Sequence, residues 1–249
     1  MRVLILGGTI EASEIGRALA NDARVVAEIS LAGRTLRPVP QPLPTRVGGF
    51  GGAEGLARYL ADHRIDALID ATHPFAERMT ANAVAAARAT ATPLLVVLRP
   101  PWAPRAGDCW TMVPDMAAAA EALGPAPRRV FLTVGQKDLL PFRDAPRHSY
   151  LLRSVDPPPA NTLPPDVAFI AARGPFAEDD ERDLLIAHRI EVIATKNSGG
   201  AATEAKLAAA RALGLPVVMV QRPPPPDEAT VGSAAEALAW LHALAPRGA

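Results

Sequence analysis

Residues 1–19 read MRVLILGGTIEASEIGRAL, and the order of features in this stretch decides the fold. The aliphatic run Val3–Leu6 has no polar alternation, as expected of a strand whose two faces are both covered. Gly7 and Gly8 follow without a spacer, then Thr9, which can cap a helix, and then the helical pattern Ile10–Leu19. Strand, glycine turn and capped helix in this order form the first unit of a parallel α/β sheet. The run is too short to be a secretory leader or a membrane span.

The same alternation continues along the chain. Strands are expected at Val25–Ser30, Thr45–Val47, Ala67–Asp70 and Leu94–Leu98, with helices over Ala53–Ala61 and Ala76–Thr90. RPPWAPRAGD, Arg99–Asp108, is proline-rich and aperiodic and reads as a linker between domains. Beyond it the pattern resumes with strands at Trp110–Val113, Val130–Val134, Tyr150–Arg153, Val167–Ala171, Val192–Ala194 and Val217–Val220. The accompanying helices are Met116–Leu123, Glu178–His188, Ala202–Leu213 and Ser233–Leu244, the last capped by Thr230 or Ser233. The expected architecture is α/β: two Rossmann-like, doubly wound parallel-sheet domains with an inter-domain cleft. Residues 1–98 would form the first, 99–108 the linker and 109–249 the second.

Composition narrows the function. The 249 residues carry 26 basic and 26 acidic side chains, so no global field draws nucleic acid or an acidic membrane, and anion binding must be local. A single cysteine, Cys109, excludes an internal disulfide or a cysteine metal cluster and fits a reducing, cytoplasmic setting. The histidines have no metal-ligand spacing, so no metal is expected.

In doubly wound sheets ligands sit at the carboxyl ends of strands. After the first strand, Gly7 and Gly8 allow close backbone approach to a phosphate, and Thr9 opens a helix whose free N–H groups face it. The third glycine of GxGxxG is missing, and any short strand-to-helix turn needs glycine. Glu11 reads as a favourable charge at a helix start. After the second strand comes SLAGRT, where a dinucleotide site reads the adenosine ribose. Glu28 lies inside the strand, whereas Ser30 and Arg34 at its end suit the 2′-phosphate of NADP(H). GGFGG, Gly48–Gly52, is either a cofactor contact or a tight loop. DATHPFA places Asp70, Thr72 and His73 where a nicotinamide would lie; His73 can donate a proton or merely cap a helix.

In the second half TVGQKD, ARGPF and KNSGG each follow a strand and join a cation to glycine-freed amides. Lys137, Arg173 and Lys196, with Asn197, Ser198, Gly199 and Gly200, suit a ligand with several carboxylates. The acidic stretch Glu178–Glu181 reads as the solvated start of a helix.

Taken together and in order, GGTIEAS, SLAGRT, DATHPFA, GPF after Arg173, and KNSGGAATEAKLAAARALGLPVVMVQRP resemble the precorrin-6A reductase family of cobalamin biosynthesis. The resemblance spans nearly the whole chain. It implies two Rossmann-like domains and NADPH-dependent reduction of a double bond in precorrin-6A to give precorrin-6B. It also implies cofactor contacts from Gly7, Gly8, Thr9, Ser30, Arg34 and Thr72, and a polycarboxylate tetrapyrrole partner. Asp70 and His73 stand as candidates for catalysis, with no one of them fixed as proton donor. Three alternatives stay open: the cobalt-bearing substrate of the anaerobic pathway, another NADP-dependent reductase or epimerase on this fold, and a non-catalytic NADP(H)-sensing module. No nucleic acid or membrane partner is expected, and the oligomeric state is left open, a monomer included.

Overall fold

The structure is a computed structural model that describes residues 1–33, 35–36 and 38–244. The chain forms two compact units, residues 1–100 with 223 onward, and residues 101–222.

The first unit runs β1 (Arg2–Leu6), α1 (Ile10–Leu19), β2 (Val26–Leu31), β3 (Thr45–Val47), α2 (Ala53–Asp62), β4 (Ala67–Asp70), α3 (Glu77–Thr90) and β5 (Leu94–Val97). The aliphatic runs are unalternated because both faces are buried. Val3 and Ile5 of β1 pack with Ile15 and Leu19 of α1, whereas Leu4 and Leu6 pack with Leu56 and Leu60 of α2. Thr9 caps α1 through its side chain, which accepts from the Ala12 amide at 3.2 Å.

The second unit runs β6 (Cys109–Val113), α4 (Met116–Ala122), β7 (Arg129–Thr133), α5 (Leu140–Arg143), β8 (Ser149–Ser154), β9 (Val167–Ala171), α6 (Glu178–Ala187), β10 (Val192–Lys196), α7 (Ala205–Leu213) and β11 (Pro216–Val220). On one face of its sheet Phe131, Leu151, Ile193 and Met219 pack with Leu185 of α6 and Leu207 of α7. The chain then returns to the first unit as β12 (Thr230–Val231) and α8 (Ala234–Leu244).

Both sheets are six-stranded and every pair in them is parallel. The first has the order β12-β5-β4-β1-β2-β3 and the second β6-β11-β10-β7-β8-β9. Each is a doubly wound order, reversing between β1 and β4 in one and between β7 and β10 in the other. The outer position beside β5 in one sheet and β11 in the other is filled in opposite ways. In the first sheet it is taken by β12, which arrives only after the second unit is complete; in the second sheet it is taken by β6, the unit's own first strand.

Two expected boundaries are therefore corrected. Residues 109–249 do not form one domain, because Thr230 and Val231 pair with Val96 and Val97 of β5. In addition, Ala237 and Leu241 of α8 are buried in the core that α1 lines. Thr230 is thus a strand residue, and Ser233 is the cap, with its hydroxyl accepting from the Glu236 amide at 3.3 Å. Nor are residues 99–108 a free linker. Trp102 is buried in the second core with Leu207 and Phe131, where an indole brings a large apolar area.

Candidate functional site

At the carboxyl edge of the first sheet, the turn after β1 lies at the point where the strand order reverses. The Gly7 amide donates to the Ser30 carbonyl at 2.9 Å, tying the end of β1 to the end of β2. On the other side the Thr9 hydroxyl donates to the Ala71 carbonyl at 2.7 Å, tying the same turn to the end of β4. Gly7 is sterically required, since a Cβ there would lie 2.9 Å from Ile29 Cγ2. Gly8 is required for another reason: its φ is +115°, a region closed to L side chains, and the space its missing Cβ would fill is open to 4 Å. Open space in front of a helix start with exposed amides fits an anionic group. Glu11, in the first turn of α1, is paired with Arg99 at 2.9 Å.

Asp70 ends β4 and is 1% exposed. Its Oδ1 accepts from the Thr72 amide at 3.0 Å and the Thr72 hydroxyl at 2.7 Å, shaping the turn that presents His73. Its Oδ2 is buried and accepts nothing from the described residues. His73 is exposed, and its Nδ1 accepts from the Phe75 amide at 3.2 Å. In the neutral ring the proton then sits on Nε2. Ser30 is buried at the end of β2, and Arg34 lies outside the described residues. Glu28, inside β2, accepts from the Tyr59 hydroxyl at 2.6 Å. That phenol is pushed up to about 12 by burial first and by Glu28 second.

At the carboxyl edge of the second sheet, β7 and β10 flank the reversal and are linked by Thr133 donating to Thr195 at 2.8 Å. After β7 the short 3₁₀ turn Gln136–Asp138 presents exposed Lys137. Lys196, at the end of β10, is ion-paired with Asp138 at 2.5 Å. The lysine is thus held over the turn that carries Lys137. The KNSGG amides divide into two sets. Asn197 N donates to the Val220 carbonyl and Ser198 N to the Lys196 carbonyl. The amides of Gly199 and Gly200, at φ +64° and +84°, donate to no described residue. The Asn197 side chain faces inward, with Oδ1 accepting from Trp102 N at 2.8 Å and Nδ2 donating to Trp102 O at 2.9 Å. It is a brace for the backbone of Trp102.

Arg173 follows β9 and is exposed on ARGPF. That turn is tied to the segment after KNSGG, as Phe176 N donates to Ala202 O at 3.2 Å. A Cβ on Gly174 would come within 2.7 Å of the same oxygen, so the two turns approach as closely as glycine allows. Lys137, Arg173 and Lys196 therefore all follow strands on one edge, with β8 between β7 and β9.

Sequence reasoning missed the supports beneath this edge. Arg222, just past β11, donates to the carbonyls of Asn197 at 2.9 Å and Ser198 at 2.8 Å, clamping KNSGG from below. Glu181 is not part of a solvated helix start. It is 2% exposed and its Oε2 accepts from Arg153 at 2.8 Å, while the guanidinium lies 3.7 Å from the Phe176 ring centre. Beside it Lys206 is buried, donates to Thr203 O at 2.6 Å and lies over the Trp102 ring. Burial first, then Arg153, pulls its pKa down to about 7. The signal available was the apolar periodicity of α6, in which Glu181 and Leu185 fall one turn apart on the inner face.

A hollow lined by Arg129, Asp166 and His188 lies at the amino ends of β7 to β9, away from the carboxyl edge. Among the described residues no group of histidine, cysteine and acidic side chains is arranged to hold a metal ion. No described helix is long and apolar enough to cross a membrane.

The family model for precorrin-6x reductase CbiJ/CobK matches residues 2–242. A precorrin-6A reductase from Sinorhizobium is 54% identical over 98% of this chain and 94% of its own length. The Rhodobacter capsulatus precorrin-6A reductase is 50% identical over 99% of both. A cobalt-precorrin-6A reductase from Priestia megaterium is 30% identical over 89% of this chain and 90% of its own. Among solved structures, CobK precorrin-6A reductase superposes with a TM-score of 0.93 at 49% identity over all of both chains.

Proposed function

The chain belongs to the precorrin-6x reductase family, and on that premise we propose that it reduces one double bond of precorrin-6A, with NADPH as donor, to give precorrin-6B in cobalamin biosynthesis. The observation that carries the cofactor half of the reading is Gly8. A positive-φ glycine with open space before it, at the strand-order reversal and ahead of a capped helix, is what a pyrophosphate needs.

NADPH, when bound, supplies a hydride for an electron-poor carbon of the conjugated ring, with a proton added at a neighbouring atom. The chain supplies position and charge. Gly7, Gly8 and Thr9 receive the phosphates, Ser30 and Arg34 the adenosine ribose and its phosphate, and Thr72 the nicotinamide end. Lys137, Arg173, Lys196 and the amides of Gly199 and Gly200 hold the macrocycle's carboxylates by charge-assisted hydrogen bonds. Asn197 and Ser198 contribute by shaping that turn. Fixing both reactants can lower the barrier by up to about 7–11 kcal/mol. His73 Nε2–H is the proton source that the exposed edge offers, and Asp70 sets the turn that carries it.

The metal-free substrate is favoured over its cobalt form by the gradient of likeness, 54% to a precorrin-6A reductase against 30% to a cobalt-precorrin-6A reductase. An absorbance assay with NADPH and precorrin-6A, with and without cobalt, tests the reading. Turnover of the metal-free ring is expected. NADPH binding with no spectral change in either ring would contradict it.

A further inference from the structure

The first unit holds an arginine that neither the sequence pattern nor the family likeness singles out. Arg46 lies in β3, opposite Ser30 of β2 in the parallel register. Its NH1 donates to Ser30 Oγ at 2.9 Å and to the Gly48 carbonyl at 2.9 Å, and its NH2 to the Gly49 carbonyl at 3.2 Å. The guanidinium carbon lies 3.9 Å from the centre of the Phe50 ring and 5.3 Å from that of Tyr59. The group is thus fixed in place by one hydroxyl, two carbonyls and two ring faces.

All these partners are neutral. Glu28 accepts from the Tyr59 hydroxyl, and no described carboxylate forms an ion pair with Arg46. By contrast Arg24, Arg88 and Arg99 in the same unit are paired with Asp22, Glu228 and Glu11. Of the five N–H donors of a guanidinium, Nε–H and one on NH2 are engaged by no described residue. A preformed, uncompensated cation with donors to spare fits a dianionic phosphate. Its location selects which phosphate. The end of the second strand is where this fold meets the adenosine ribose, and a 2′-phosphate there is what separates NADPH from NADH.

We propose that Arg46, held by Ser30, binds the ribose 2′-phosphate and is a determinant of NADPH preference; this rests on the cofactor reading above. The competing role is a clamp on the Gly48–Gly52 turn, which would affect all adenosine ligands alike. The two are separated by calorimetric titration of the full-length protein with 2′,5′-ADP and with 5′-AMP, which differ only in that phosphate. The wild type should prefer 2′,5′-ADP. Arg46→Gln should lose about 10- to 100-fold for 2′,5′-ADP, the range for a charged hydrogen-bonding partner, with 5′-AMP binding little changed. Arg46→Lys should fall between, because it keeps the charge and loses the fork. A wild type with no preference for 2′,5′-ADP overturns the cofactor reading and this proposal with it. An unaltered preference in Arg46→Gln, or equal weakening of both probes, overturns the proposal alone.

Discussion

Replacing Asn197 with leucine separates a structural role for KNSGG from a direct ligand role for its asparagine. The Asn197 side chain is 6% exposed at residue level and meets both polar groups of one peptide, the Trp102 N–H at 2.8 Å and C=O at 2.9 Å. Leucine is close in size, so little cavity is made. It removes one acceptor and one donor, leaving two backbone groups buried without partners. Each such group costs about 1–3 kcal/mol, so about 2–6 kcal/mol in all. At about 4 °C per kcal/mol for a unit of this size, the second unit should melt roughly 8–24 °C lower. Trp102 is buried beside the substituted residue and Trp240 lies in the first unit, so tryptophan fluorescence during heating follows both. The transition of the second unit should shift and that of the first should stay. Asn197→Asp should also destabilise, because it sets a carboxylate oxygen against the Trp102 carbonyl. A shift below about 2 °C with a large loss of macrocycle affinity would refute the reasoning and return Asn197 to the ligand.

Two further outcomes follow from named residues. Gly8→Val puts a side chain at φ +115° and into the open space before α1. Strain of about 1–3 kcal/mol and a loss of NADPH binding of at least tenfold are expected by calorimetry, and unchanged binding would remove the turn from the cofactor site. His148 is 1% exposed, and burial first, then Arg147 and Arg128, lowers its pKa from 6.5, against a smaller upward pull from the Gly124 backbone. Above about pH 6.5 the ring is neutral folded and unfolded, so its effect on stability is constant. As pH falls below that value the unfolded chain takes up the proton first, and stability drops until the lowered folded value is passed. Urea midpoints from pH 7.5 to 5 should show this slope, and His148→Phe should flatten it; an unchanged slope would place its source elsewhere.

The parallel order and the strand ends were legible because they are local. A strand buried on both faces reads as an aliphatic run, and Val3–Leu6 and Ala67–Ile69 are such runs. The turn glycines were legible for the same reason, since Gly8 and Gly200 are fixed by their own φ. What could not be read are pairings made at a distance. Thr230–Val231 is a two-residue strand with no apolar run to announce it, and only its partner in β5 gives it meaning. Asn197 looked like a ligand donor because its two partners lie 95 residues away on Trp102, within a stretch whose prolines suggest a linker. The Asp138 partner of Lys196 went unseen because it is 58 residues distant. Arg46 went unremarked because Ser30, Phe50 and Tyr59 meet it only once β2, β3 and α2 are assembled. Glu181 was misjudged because charge suggests solvent, whereas its helical position points inward to Arg153.

The central claim is a division of labour, in which the first unit's strand ends take the nucleotide and the second unit's take the carboxylates. Lys196→Gln tests it most directly. Calorimetric titration of the variant should show macrocycle binding weakened by about tenfold or more, the scale of one lost charged partner, with NADPH affinity equal to that of the wild type. A variant that binds the macrocycle normally and loses affinity for NADPH would assign KNSGG to the cofactor and contradict the account.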